Sequence, residues 1–219
     1  MQQQKRKTMV NPLDFDKTYF IDKEMIDKVT LWMLRVILKA GGFKKFIDKN
    51  NCFKDENVAY FLDIEKYEDK DKYSRKEIYS ILSNKLQKLE RSYKEISFEP
   101  LNNNIESLGK LFLLNEIEKQ MIEFVTCLKN YNILETVTDY LGYELTTSQV
   151  KRFLGIILDI PAQQIEKVFA SDSVLSISSF LTIDNKIWIT GTLERKLVFF
   201  NDKAAEFLMN SFDDIYSII

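Results

Sequence analysis

Between Leu145 and Ile189 the chain reads LTTSQVKRFLGIILDIPAQQIEKVFASDSVLSISSFLTIDNKIWI, and the head of that run fixes where a helix begins. Thr146 and Gln149 make a T-x-x-Q capping box, in which each side chain satisfies a backbone N–H that a helix start leaves without a partner. Leu145 and Val150 flank the box as a hydrophobic staple. Val150, Phe153, Leu154, Ile157 and Leu158 then recur at helical spacing and define one apolar stripe. Pro161 suits the first turn of a second helix, where its missing N–H costs nothing. Ile165, Val168 and Phe169 face inward there, and a turn of about 100° per residue puts Gln163, Glu166, Lys167 and Ala170 outward. SDSVLSI makes the connection out of this helix. Phe180–Ile183 and Ile187–Thr190 are β-favouring runs joined by the turn-forming Asp184-Asn185-Lys186. Helix, tight turn, helix and β-hairpin is the plan of a winged helix-turn-helix at about 145–190, with the hairpin as the wing.

A duplex reader carries Arg, Lys, Asn or Gln on the exposed face of the second helix, with cations beside it for phosphates. Here Glu166 offsets Lys167, Gln163 stands alone, the wing offers Lys186, and the two flanking turns hold Asp159 and Asp172. The wider charge distribution agrees. The whole chain carries −2, with 31 Lys and Arg against 33 Asp and Glu. Residues 1–100 hold 21 basic and 17 acidic side chains, and residues 101–219 hold 10 and 16, so the half with the helix-turn-helix is the acidic one. That is the wrong sign for a polyanion. The face of Gln163, Glu166, Lys167 and Lys186 is therefore a candidate contact surface for a protein partner, and nucleic acid is not the expected ligand.

The rest of the chain predicts a mostly α fold: a helical bundle to which the winged helix and its small hairpin belong. Six glycines and three prolines in 219 residues leave little room for long loops, and 45% hydrophobic residues suffice for a core. Residues 1–21 form a polar, basic tail that docks Phe15, Tyr19 and Phe20. Residues 22–99 form an N-terminal helical region. In it Asp22 caps a helix with Ile26, Val29, Trp32, Met33, Val36, Ile37 and Ala40 on one stripe, widened by Leu31, Leu34 and Leu38, and Gly41-Gly42 ends it. Short helices follow near Phe43–Asp48 and Asp55–Leu62, then a charged loop over Asp63–Tyr73. Ser74 and Glu77 make a second capping box before a long helix whose apolar row is Ile78, Leu82, Leu86, Leu89, Tyr93 and Ile96. That near-heptad seam is too short for a sustained coiled coil, so packing on its own domain is the expected use, with dimerisation as the alternative. Pro100 and the following LNNN mark a boundary. Residues 100–219 hold further short helices, the winged helix and a C-terminal helix.

The chain has no histidine, which removes Ser-His-Asp and Cys-His nucleophiles and histidine-based zinc sites together. Cys52 and Cys127 match no metal or redox spacing and read as buried reduced thiols. Asp213-Asp214 and the many Glu/Lys pairs read as solvated faces. No glycine run has the spacing of a phosphate-binding loop, so no catalytic, metal or cofactor residue is assigned and the chain is not expected to be an enzyme. No run approaches the ~20 apolar residues of a membrane span. MQQQKRK is followed by TMVNPLDFDKTYF rather than by an apolar leader, so the expected location is the cytoplasm.

Four stretches carry a resemblance: LWMLRVILKAGGFKKFI, LNNNIESLGKLFLLNEIEKQMIEFV, LTTSQVKRFLGIILDIPAQQIEKVFASDSVLSISSFLTID and LVFFNDKAAEFLMNSF. Their order over most of residues 30–212 resembles the N-terminal, winged-helix-bearing region that precedes the motor module in a group of bacterial AAA+ ATPases. Ser179-Phe180 stands where similar sequences tend to carry a glycine before the wing strand. No Walker A or Walker B run occurs, so the resemblance implies a non-catalytic fragment whose motor lies beyond Ile219. It implies recognition or positioning of a protein client or adaptor, with ATP and Mg bound by the motor module and a hexamer formed by the full-length parent. The alternatives are a winged-helix transcription regulator on DNA and a helical dimerisation module.

Overall fold

Every residue from Val29 to Ile37 is buried, so helix α1 (Ile26–Leu38) has no solvent face along its middle and runs through the interior. The expected stripe of this helix had already been widened by Leu31 and Leu34, and an all-round apolar helix is a buried one. The computed structural model describes residues 21–68, 72–92, 98–184 and 191–210. Gly41 ends the α1 segment at φ 95°, the left-handed backbone that glycine adopts without strain. Helix α2 (Phe43–Phe46) and helix α3 (Glu56–Phe61) follow, the latter capped by the Asp55 carboxylate accepting from the Val58 N–H at 2.9 Å. Helix α4 (Arg75–Ser92) opens on the expected Ser74/Glu77 box, with the Ser74 N–H donating to Glu77 Oε2 at 2.7 Å. Its Ile78, Leu82 and Leu86 are buried and the helix packs on α1, so the seam serves the chain's own core. Tyr93 and Ile96 lie outside the described residues.

Helix α5 (Glu99–Phe112) takes in Pro100 and the LNNN that follows it. Pro100 stands in the first turn of α5, where it needs no N–H acceptor, and Asn102, Asn103 and Asn104 are helical. Helix α6 (Glu116–Asn130) is the second central helix, with Met121–Leu128 buried without a break. The Trp32 and Phe124 rings join α1 to α6 edge to face at 5.2 Å, and Lys28 pairs with Glu123 beside them. Each such fully buried large side chain contributes about 1.5–3 kcal/mol by leaving water. Asp22 precedes a short 3-10 turn without capping it; its carboxylate accepts from the Tyr131 hydroxyl at 2.9 Å, which ties the start of α1 to the end of α6.

Helix α7 (Asn132–Thr138) continues as a 3-10 turn to Leu141 and stops at Gly142, φ 128°. Helices α8 (Thr147–Leu158) and α9 (Ala162–Val168) follow. The segment SDSVLSI is more than a connection. Ser173 caps helix α10 (Val174–Ile177) by accepting from the Ser176 N–H at 3.2 Å. Strand β1 (Leu181–Ile183) leads to helix α11 (Leu193–Lys196), strand β2 (Leu197–Phe199) and helix α12 (Ala204–Met209). The described sheet has two strands, β1 antiparallel to β2, with Leu181 opposite Phe199 and Ile183 opposite Leu197. The strand expected at Ile187–Thr190 and the turn residue Lys186 lie outside the described residues, so β2 is the partner that β1 has among them. Ser179 enters β1 at φ 55°, a left-handed conformation that glycine adopts without strain.

Buried apolar residues from Ile21 to Leu208 form one core cluster. Cys127 is buried as expected, but Cys52 is exposed. The reason is local: Asp48 Oδ1 accepts from the Asn50 and Cys52 N–H groups at 2.7 and 2.9 Å, which turns the loop outward. Among the described residues no helix is long and apolar enough to cross a membrane, and no three or more metal-ligating side chains group together.

Candidate functional site

The α8–α9 pair forms as its local signals require. The Thr146 N–H donates to Gln149 Oε1 at 2.8 Å and the Gln149 N–H returns to Thr146 Oγ1 at 3.3 Å. Val150, Phe153, Leu154 and Ile157 are buried along α8, and Ile165 and Val168 along α9. Between the helices Asp159 takes φ 59°, and the Ile160 N–H donates to the Gly155 carbonyl at 2.9 Å. A Cβ at Gly155 would stand 3.0 Å from the Ile160 carbonyl, so glycine lets this turn close tightly. Pro161 caps α9 one position before its first helical residue.

Arg35 holds the turn from beneath. It is 8% exposed in an otherwise apolar part of α1. Its Nη1 donates to the Ile157 carbonyl at 3.0 Å, its Nη2 lies 3.5 Å from Asp159 Oδ2, and its Nε reaches Glu90 Oε1 at 3.2 Å. Lys39 Nζ shares that carboxylate oxygen at 2.7 Å. Burial pushes the Glu90 carboxyl up, but the hydrogen bonds and charges of Lys39 and Arg35 outweigh it and hold the group below the usual carboxylate range. One buried guanidinium thus links α1, α4 and the helix-turn-helix. Periodicity reads a helix by its apolar positions and passes over Arg35. The signal that marks it is a cation flanked by Leu34 and Val36 in a helix apolar all round, since a buried charge needs partners from other elements.

Gln163, Glu166 and Lys167 are all exposed on α9, as expected, and Ala170 is half-buried. Lys186 lies outside the described residues, so the structure brings together three of the four expected contact residues. Glu166 Oε2 pairs with Lys151 Nζ at 2.5 Å across the α8–α9 groove, an open hollow of about 490 Å3. The other groove cations are also engaged: Lys39 with Glu90, and Arg152 with its guanidinium 4.8 Å above the Phe153 ring. Lys167 borders a second hollow with Glu116 and Glu118. Among the described residues the face is therefore charge-compensated, and its exposed Lys167 sits in acidic surroundings.

Two carboxyls lie above their ordinary range. Burial raises Glu135, with Glu194 and Asp139 adding repulsion, and burial likewise raises Asp139. They are one helical turn apart beside Arg195, Glu194 and, for Asp139, Lys54. Asp139 Oδ1 is buried and has no hydrogen-bond donor among the described residues. Comparison of the chain with protein-family models, with curated proteins and with solved structures gives no match.

Proposed function

We propose that this chain is a non-catalytic recognition domain for a protein client or adaptor, and that the exposed face of α9 is one of its contact surfaces. The observation that carries the reading is the charge matching of the α8–α9 groove. Lys39 and Lys151 are each paired with a carboxylate, and Arg152 is laid on a ring. Phosphate binding would have to break those pairs, whereas a protein surface of mixed charge can meet Gln163 and Lys167 while the Lys151–Glu166 pair stays formed. The winged-helix reading of this region rests on the capped α8, the tight turn, α9 and the strand β1 that follows. It agrees with the resemblance to the region preceding the motor of bacterial AAA+ ATPases. In that setting the domain presents a client to a hexameric ring, ATP and Mg belong to the motor module, and the cytoplasm is the location.

Two experiments test this. Reading the coding sequence past Ile219 tests the AAA+ setting: an in-frame G-x-x-x-x-G-K-[ST] downstream supports it, and an immediate stop codon contradicts it. A random-sequence duplex selection at physiological salt tests the partner class. Specific readers hold dissociation constants of ~10⁻⁸ M or tighter. Enrichment of a sequence bound tightly and salt-resistantly through Lys167 would make the transcription-regulator reading the better one.

A further inference from the structure

On the side of the molecule built from α2 and the start of α4, cations outnumber acids among the described residues that line one hollow. Phe43, Lys44, Asp48, Lys49, Arg75, Lys76 and Tyr79 line a shallow open depression of about 760 Å3, four cations against one carboxylate. Local structure gathers them. Lys44 lies in the single turn of α2, Lys49 in the loop that leaves it, and Arg75 and Lys76 in the first turn of α4. The two ends are tied together by Arg75 Nη2, which donates to the Ile47 carbonyl at 2.9 Å.

The floor is apolar and preformed. The Phe43 and Tyr79 rings meet edge to face at 5.1 Å, and the Arg75 guanidinium lies 5.5 Å from the Phe43 centroid. Tyr79 nevertheless leaves 42% of its surface exposed. Arg75 Nε is buried with no acceptor among the described residues, so Arg75 belongs to the floor rather than to the ligand-facing rim. The rim is Lys44, Lys49 and Lys76, all exposed and without an ion-pair or hydrogen-bond partner among the described residues. The one acid of the lining, Asp48, has its Oδ1 committed to the Asn50 and Cys52 N–H groups.

We infer that this depression is a docking site for an acidic peptide segment carrying an aromatic or large aliphatic side chain, the apolar group resting on Tyr79 and the carboxylates meeting Lys44, Lys49 and Lys76. Charge complementarity fixes the sign of the partner. The floor decides between the polyanions. A single-stranded nucleic acid gains most of its sequence-tolerant affinity from bases stacked on successive free aromatic faces. Here Phe43 and Tyr79 are engaged with each other edge to face and the Arg75 guanidinium lies over the Phe43 ring, so the lining offers no run of successive free aromatic faces, while Tyr79 keeps exposed surface for one anchor. A peptide needs one anchor, and this hollow supplies one. The inference rests on the reading of the chain as a protein-recognition domain and adds the chemistry of what it recognises.

The test is fluorescence anisotropy of the whole chain with a short labelled peptide of alternating Glu and Tyr, against the same peptide with Ser for Tyr and against oligothymidylate of equal charge. Saturable binding of the Tyr peptide is expected, weakening as salt rises. The combined variant Lys44→Glu, Lys49→Glu, Lys76→Glu should lose at least ~10-fold in affinity, since exposed attractions become repulsions. Tyr79→Ala and the Ser peptide should each bind more weakly than the parent pair, while Lys110→Glu, at an exposed position of α5, leaves binding unchanged. The milder Lys49→Gln, Lys76→Gln pair repeats the rim test if the triple variant melts early. Unchanged affinity in both rim variants, or no binding of the Tyr peptide at ~1 mM, overturns the site. Tighter rim-dependent binding of oligothymidylate overturns it in favour of nucleic acid. Loss on Lys167→Glu with the rim variants intact moves acidic clients to α9, which sinks this site and leaves the recognition reading standing.

Discussion

Arg35 Nη1 and the Ile157 carbonyl meet at 3.0 Å across 122 positions of sequence, and through this bond the centre of the bundle holds the last turn of α8 in place. Replacing the guanidinium by an apolar chain of similar length leaves the Ile157 carbonyl without this donor and Glu90 with one cation fewer. Arg35→Met should therefore destabilise the fold by ~2–4 kcal/mol, the range for a stripped buried polar network. Lys39→Ala removes a pair whose cation is 42% exposed and should stay within ~1 kcal/mol of wild type. Urea unfolding of the two variants checks the difference; equal losses would mean that Arg35 does not hold the turn.

The phase of the helix-turn-helix is tested by two truncations. Leu154 is fully buried and Gln163 is exposed. Leu154→Ala should cost ~2–5 kcal/mol and Gln163→Ala less than ~0.5 kcal/mol, read by thermal or urea melts.

Several local signals and the structure agree. The Thr146/Gln149 and Ser74/Glu77 boxes, the Gly41 stop and the apolar phase of α8 each depend on residues within a turn of one another, and each forms as read. Pro100 stands in the first turn of α5 and the LNNN after it is helical, which the local letters leave open because a proline that ends one element and a proline that opens the next have the same chemistry. The pairing of β1 with β2 is not legible in the sequence because helix α11 separates the two strands and no period-2 pattern announces the partner of Leu181–Ile183. The exposed face of α9 was legible from helical phase. Arg35 beneath it and the cationic hollow at α2 and α4 were not, since both are assembled from residues far apart in the chain.

Ser179 holds a left-handed backbone at φ 55° where glycine would be unstrained. Ser179→Gly relieves that strain and loosens the unfolded chain, so the net effect should lie between zero and ~1 kcal/mol of stabilisation. Ser179→Val, β-branched and ill suited to this region, should cost ~1–3 kcal/mol. Paired melts decide; a well-tolerated valine would contradict the strained entry into β1.

Glu135 is held above its ordinary value of 4.5, first by burial and then by Glu194 and Asp139. A carboxyl raised in the folded state favours folding most when protonated: its contribution is full below the unfolded value and is lost as pH rises through the folded one. Glu135→Gln removes this titration. The variant should be more stable than wild type at neutral pH, with the gain shrinking to nothing as pH falls below about 4.5. Denaturant midpoints across that window test it, and a variant less stable at neutral pH would contradict the assignment.

The central claim, that α9 meets a protein, is tested most directly by a photo-crosslinking side chain placed at Gln163 in cells that make this protein, with a second copy of the probe at exposed Glu24 as the control. A discrete protein adduct is expected from position 163 that is absent from position 24 and is lost when Lys167→Glu is added. Adducts to nucleic acid from position 163, or a pattern identical to that of the control, would contradict it.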